Sequence, residues 1–180
     1  MTAQAVLDFW FSGSSSRHWF NSTPDLDQDI RERFEGIWQL ARDGALSVWE
    51  QTPSGALALV IVLDQFPLNM YRGQALSFRT EKQARAVAER AIERGFDRRL
   101  AGERLAFLYL PFMHSESLAD QDRSVALYSK AGLEKNLGFA LGHRDIIRRF
   151  GRFPHRNRIL GRESSAEELA WLTSPEAVNP

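Results

Sequence analysis

The stretch "TPSGALALVIVLDQFPLNMYRG", residues 52–73, decides between a helical and a sheet protein. Its centre, "ALALVIVL" at 56–63, is apolar at every position, so it neither alternates like a half-buried strand nor leaves a polar helix face. The β-branched run Val60-Ile61-Val62 favours a strand. Thr52-Pro53 favours a helix, because threonine caps orphan N–H groups and proline, lacking its own N–H, fits the first helical position. No other part of the chain alternates with period two for long enough to supply a partner strand. The spacing therefore predicts a helix over about 53–64, apolar all round and buried at the centre of the fold.

The remaining segments read the same way. Thr2 precedes a helix that puts Val6, Leu7, Trp10 and Phe11 on one side. "SGSSSRHWFNST", 12–23, reads as a polar loop. Thr23-Pro24 starts a helix with Asp25, Asp27 and Asp29 near its positive end and the stripe Ile30, Phe34, Ile37, Trp38 and Ala41. Thr80 and Gln83 have capping-box spacing ahead of Ala84, Val87, Ala88, Ala91 and Ile92. A further apolar helix runs to about Pro111, two more follow, and a last one starts at Ser164 or Ser165 and reaches Leu172. The fold expected is all-α: a single compact array of about eight helices, one domain over 1–180 with a loose tail at 175–180.

Composition narrows the function classes. The chain has 180 residues, 43% hydrophobic and 26% charged, with Lys plus Arg and Asp plus Glu balanced at 23 each. A neutral chain has no overall field calling for nucleic acid or an anionic membrane. There is no cysteine, hence no disulfide framework. "TAQAVLDFWF" lacks the basic start and long apolar run of a secretory signal, and 56–63 is far shorter than the roughly 20 residues a bilayer requires. A cytoplasmic protein is the simplest expectation.

Two Phe-Pro pairs, Phe66-Pro67 and Phe153-Pro154, each follow a helical run. Proline disfavours helix at the residue before it, so both pairs read as sharp stops. Each is followed by an asparagine, Asn69 or Asn157, and by nearby arginines. Segment 143–162 carries seven arginines, no lysine and one acid. Arginine without lysine suits planar, bidentate contact with carboxylate or phosphate. The structural alternative is that these arginines pair with the acid-rich N-terminal third. "LPFMHSESLADQD", 110–122, adds His114 and Glu116. The candidate ligand site therefore comprises Asp64, Gln65, Asn69, Arg72, His114, Glu116, His143, Asp145, Arg149, Arg152, His155, Arg156 and Asn157, assembled where the two corners and the His114 segment converge. No Glu-x-x-His pair, Gly-rich phosphate loop or nucleophile elbow is present, so neither a metal nor a cofactor is expected.

The runs "VLDFWF", "LVIVLDQFPLNMYRG", "FLYLPFMHSES", "DQDRS" and "HRDIIRRFGRFPHRNRILGRESSAEELAWL" resemble the bacterial family known as domain of unknown function 924 over nearly the whole chain. The resemblance implies a fold similar to tetratricopeptide-like helical arrays and no established activity or catalytic residues. Where that family typically reads Phe-Pro-Arg-Asn at the first corner, this chain has Leu68. Two functions stay open. One is a small-molecule site, possibly catalytic, holding an anionic ligand. The other is an adapter binding a peptide or protein, as tetratricopeptide-like folds often do.

Overall fold

The computed structural model describes the chain except for residues 20, 176 and 178–180. Every regular element among the described residues is helical, and the backbone divides into two compact units, Met1–Pro111 and Phe112–Pro180.

In the first unit, helix α1 (Ala3–Trp10) starts where the Thr2 hydroxyl accepts from the Ala5 N–H, and it buries Val6, Leu7 and Trp10. The supposed loop after it contains a short helix, α2 (Gly13–Ser16), because the Ser12 hydroxyl caps the Ser15 N–H. Helix α3 (Pro24–Arg42) has the expected threonine cap, first-turn aspartates and buried stripe.

Helix α4 (Pro53–Val60) is capped by Thr52 and buried from Gly55 onward, as its uniform apolarity requires. The stop foreseen at Phe66-Pro67 does not occur. The chain instead widens into a π-helical segment, Ile61–Gln65, and runs on into α5 (Phe66–Met70) with Pro67 in its first turn. Proline has no N–H to give the Leu63 carbonyl four residues back. That carbonyl accepts from the Thr80 hydroxyl instead, and Thr80 in turn accepts from Trp38 Nε1 at 3.0 Å. The Phe66 N–H reaches back five residues to Ile61, which is the π register. A long-range hydroxyl thus satisfies the group that would otherwise force a break.

Thr80 is consequently not the cap the sequence suggests. It precedes α6 (Glu81–Glu93) but makes no side-chain cap bond, and Gln83 donates to the Arg42 carbonyl at 2.7 Å. Phe66 packs at 4.6 Å from Phe34 and 5.7 Å from Trp10, so its ring does enter the core. The division between units falls at Pro111, inside α7 (Gly102–Met113).

In the second unit, α8 (Leu118–Ala131) and α9 (Glu134–Phe150) pack on each other. Helix α9 ends at Gly151, whose φ of +70° only glycine adopts without strain. Phe153 is extended, and Pro154 opens a single 3-10 turn over Pro154–Arg156. This second Phe-Pro pair is therefore a true corner. Its ring joins Ile146, Ile147 and Trp171 in a core cluster, against which Ala177 of the supposedly loose tail also packs. The rest of that tail, 176 and 178–180, lies outside the described residues.

Helix α10 (Ala166–Leu172) begins with a complete capping box. The Ser165 hydroxyl accepts from the Glu168 N–H at 3.1 Å, and Glu168 Oε2 accepts from the Ser165 N–H at 2.7 Å. Ser165→Ala is expected to lower stability by about 1 kcal/mol, read as a shift of the urea midpoint at unchanged slope.

Candidate functional site

The candidate residues divide between the two units. In the first, Asp64 and Gln65 lie on the π-helical segment and are buried, and Gln65 Nε2 donates to Asp64 Oδ2 at 2.6 Å. Asn69 and Arg72 sit one turn on. Arg72 grips Asp27 with both Nε and Nη2, at 2.7 and 3.1 Å, and Asn69 Nδ2 donates to the same carboxylate at 2.7 Å. Burial alone would raise the Asp27 pKa, but the bonds from Arg72, Ser22 and Asn69 outweigh it and hold the carboxyl below its usual value. Asn69 and Arg72 thus anchor α5 to the first turn of α3.

The second unit holds the rest. Glu116 accepts from the Phe153 N–H at 2.8 Å and forms a two-pronged pair with Arg162, at 2.7 and 2.9 Å. Against the effect of burial, these bonds keep its carboxyl ionised below its ordinary range. Arg162 Nε also reaches Asn157 Oδ1, and Asn157 Nδ2 donates to Ser164 and Glu168. Arg152 clamps Glu168 with two bonds, at 2.7 and 2.9 Å. That clamp, with the Ser165 amide and Asn157, pulls the Glu168 pKa down to about 2. Asparagine plus a two-pronged arginine on a first-turn carboxylate therefore occurs in both units, Asn69 and Arg72 on Asp27 and Asn157 and Arg152 on Glu168. It is this clamp, rather than the corner, that the chain uses twice.

Arg149 and Asp145 are exposed. Arg149 pairs with Glu167 at 2.9 Å and lies over Phe150, while Asp145 stands 3.9 Å from Arg148. These arginines find acids within their own unit, where the alternative reading had sent them to the N-terminal third. Arg162 and Glu168 are the network members that the sequence reading left out of the site. The serine-to-glutamate spacing at 165–168 is the signal that marks Glu168.

A different group surrounds Phe153. Arg156 lies with its guanidinium carbon 4.8 Å from the Phe153 centroid and donates from Nη2 to the His114 carbonyl at 3.1 Å. The rings of His143 and His155 stand 5.6 and 5.5 Å from the same centroid. Burial pushes the pKa of each imidazole down to about 4; at His143 the His114 and Arg156 charges add to it against the Phe139 bond, and at His155 the Arg156 charge adds to it. Both are neutral near pH 7.

The tautomer of His143 follows from its partner. Its Nδ1 lies 2.8 Å from the Phe139 carbonyl, which can only accept, so Nδ1 carries the proton and Nε2 is left with a lone pair. That carbonyl is the only hydrogen-bond partner of the His143 ring among the described residues. His155 has none for either nitrogen, and its Nδ1 is buried.

An open groove of about 620 Å³ lies in the first unit, lined by Asp8, Phe9, Ser12, Asp25, Asp29 and Arg33 among others, and it contains none of the candidate residues. Among the described residues no three of His, Cys, Asp and Glu are grouped to hold a metal, and no helix is long and apolar enough to cross a membrane.

The family model for bacterial proteins of unknown function, DUF924, matches residues 6–176. The chain belongs to the DUF924 family. A solved structure of a protein of unknown function from Agrobacterium tumefaciens is similar to this DUF924 chain at 40% identity and a TM-score of 0.89, covering 95% of this chain and 96% of that one. No curated protein matches it. The family assignment agrees with the helical architecture and with the resemblance carried by the long run 143–172. It leaves the work of assigning a role to the residues themselves.

Proposed function

We propose that this DUF924 protein binds a small anionic molecule at the Phe153 corner of its second unit. One observation carries the reading: a buried guanidinium and two neutral imidazoles with unclaimed ring nitrogens are gathered against one buried aromatic ring. His155 Nδ1 is buried with no hydrogen-bond partner among the described residues, and a buried polar atom left unsatisfied tends to mark a functional site. The chemistry suits an anion. Arg156 supplies positive charge away from bulk water, where its interactions are stronger. Neutral His143 and His155 supply directional hydrogen bonds, and at neutral pH they can accept a proton from a bound acid or alcohol. The corner mounts them rigidly, which reduces the entropy lost when a ligand is held.

The surrounding pairs, Glu116 with Arg162 and Glu168 with Arg152, are the frame. They fix the Phe153 amide and the start of α10, and so hold the ring about which the other three are arranged.

The test is mass spectrometry of small molecules retained by natively purified protein. His155→Ala is expected to stay within a few degrees of the parent melting temperature and to lose the retained anion. Phe153→Ala should lower both. Parallel unfolding of the two variants, or equal retention by parent and His155→Ala, would make the corner purely structural.

A further inference from the structure

Helix α8 buries the side chains that a helix usually leaves in water. Its buried residues are Gln121, Ser124 and Tyr128, each bearing a polar group, while Leu118, Val125 and Leu127 are left partly or fully exposed. Gln121 and Ser124 are both 0% exposed. Burying polar atoms costs stability unless each finds a hydrogen bond.

Gln121 is satisfied on one side only. Its Nε2 donates to the Met113 and Ser115 carbonyls, both at 2.7 Å. Those carbonyls can only accept, so the amide cannot turn over, and Oε1 is fixed as an acceptor on the other side. Gln121 Oε1 and the Ser124 hydroxyl are both buried, and neither has a partner among the described residues. Residues three apart on a helix are neighbours on one face. The first atom calls for a donor, and the second can give or take a proton. A group that both donates and accepts satisfies the two together.

From these two neighbouring unmet atoms on the buried face of α8, we infer that Gln121 and Ser124 hold one internal water molecule, which donates to Gln121 Oε1 and accepts from the Ser124 hydroxyl. Water is the smallest molecule with both capacities, and internal waters in proteins characteristically bridge polar groups that are otherwise unsatisfied. The same amide holds the turn 113–115, whose middle carbonyl, that of His114, receives Arg156 Nη2 at 3.1 Å. The water thus belongs to the frame behind the Phe153 corner, and it does not depend on an anion binding there.

Two measurements on the whole chain test this. A high-resolution crystal structure is expected to show a single water within hydrogen-bond distance of both Gln121 Oε1 and Ser124 Oγ. Ser124→Ala is then compared with Ser129→Ala, on the exposed side of the same helix, so that the gain in helix propensity is common to both. A hydroxyl that holds a water stabilises the fold, and Ser124→Ala is expected to melt a few degrees below Ser129→Ala. A buried hydroxyl that bonds to nothing is a burden whose removal stabilises. Ser124→Ala melting at or above the control would therefore overturn the inference. So would a direct bond between the two side chains, or no density between them. An organic solute in place of the water would overturn it as well, and would make the pair a ligand site.

Discussion

Leu59→Asp is expected to destabilise the protein by more than about 4 kcal/mol, enough to remove a large share of the 5–15 kcal/mol that holds an ordinary domain together. Leu59 is 3% exposed on α4, and every residue from Gly55 to Pro67 is buried. The substitution forfeits about 1.5–3 kcal/mol of apolar burial. It also sets a carboxylate where no water can reach it, which costs more than the lost burial unless the acid takes up a proton. Leu40→Asp is the control. Leu40 is 47% exposed on α3, and its change should stay within about 0.5 kcal/mol. Urea unfolding followed by circular dichroism separates the two variants. If Leu59→Asp unfolded at the parent midpoint, α4 would not be a core helix.

The second large effect is on acid stability. His143 and His155 titrate near 6.5 when unfolded and at about 4 in the folded protein. Between those values the unfolded chain binds more protons than the native one, so stability falls as pH falls. The full contribution is present above about pH 6.5, and it is lost progressively down to about pH 4. The loss is on the order of 3 kcal/mol for each imidazole. The carboxylates act lower. Glu168, held at about 2, along with Glu116 and Asp27, gives stability that is present above about 4.5 and disappears below it. A melting temperature that drops between pH 6.5 and 4.5 therefore reports the imidazoles. Replacing both by glutamine should flatten that part of the profile. A parent profile already flat over this interval would contradict their burial.

What the sequence could convey depends on how local each feature is. Helix α4 was legible because a threonine cap, a proline and eight apolar residues all act within a dozen positions. The same holds for the α3 cap and for the start of α10. The π-helical passage through Phe66-Pro67 was not legible, because the group that replaces the missing proline donor is the hydroxyl of Thr80, on a different element. That long-range duty is also why Thr80 fails as a helix cap, although its spacing to Gln83 is correct.

The arginine-rich segment showed that planar anion contacts were in prospect, and the structure bears this out within the protein itself. Arg152 and Arg162 spend their forks on Glu168 and Glu116. Which arginines are committed in this way cannot be read from spacing, since Glu116 lies 46 positions from Arg162. The His143 tautomer was equally hidden. It depends on a carbonyl one helical turn away, and so on α9 being continuous from Phe139 to His143.

Imidazole NMR tests whether the Phe153 corner is the ligand site. The small molecules released by boiling natively purified protein are returned to protein stripped of them, and the ring nitrogens of all four histidines are followed. The His143 and His155 resonances are expected to move together and saturate. Unmoved His143 and His155 signals during a titration that shifts other parts of the spectrum would place the ligand elsewhere and leave the Phe153 corner purely structural.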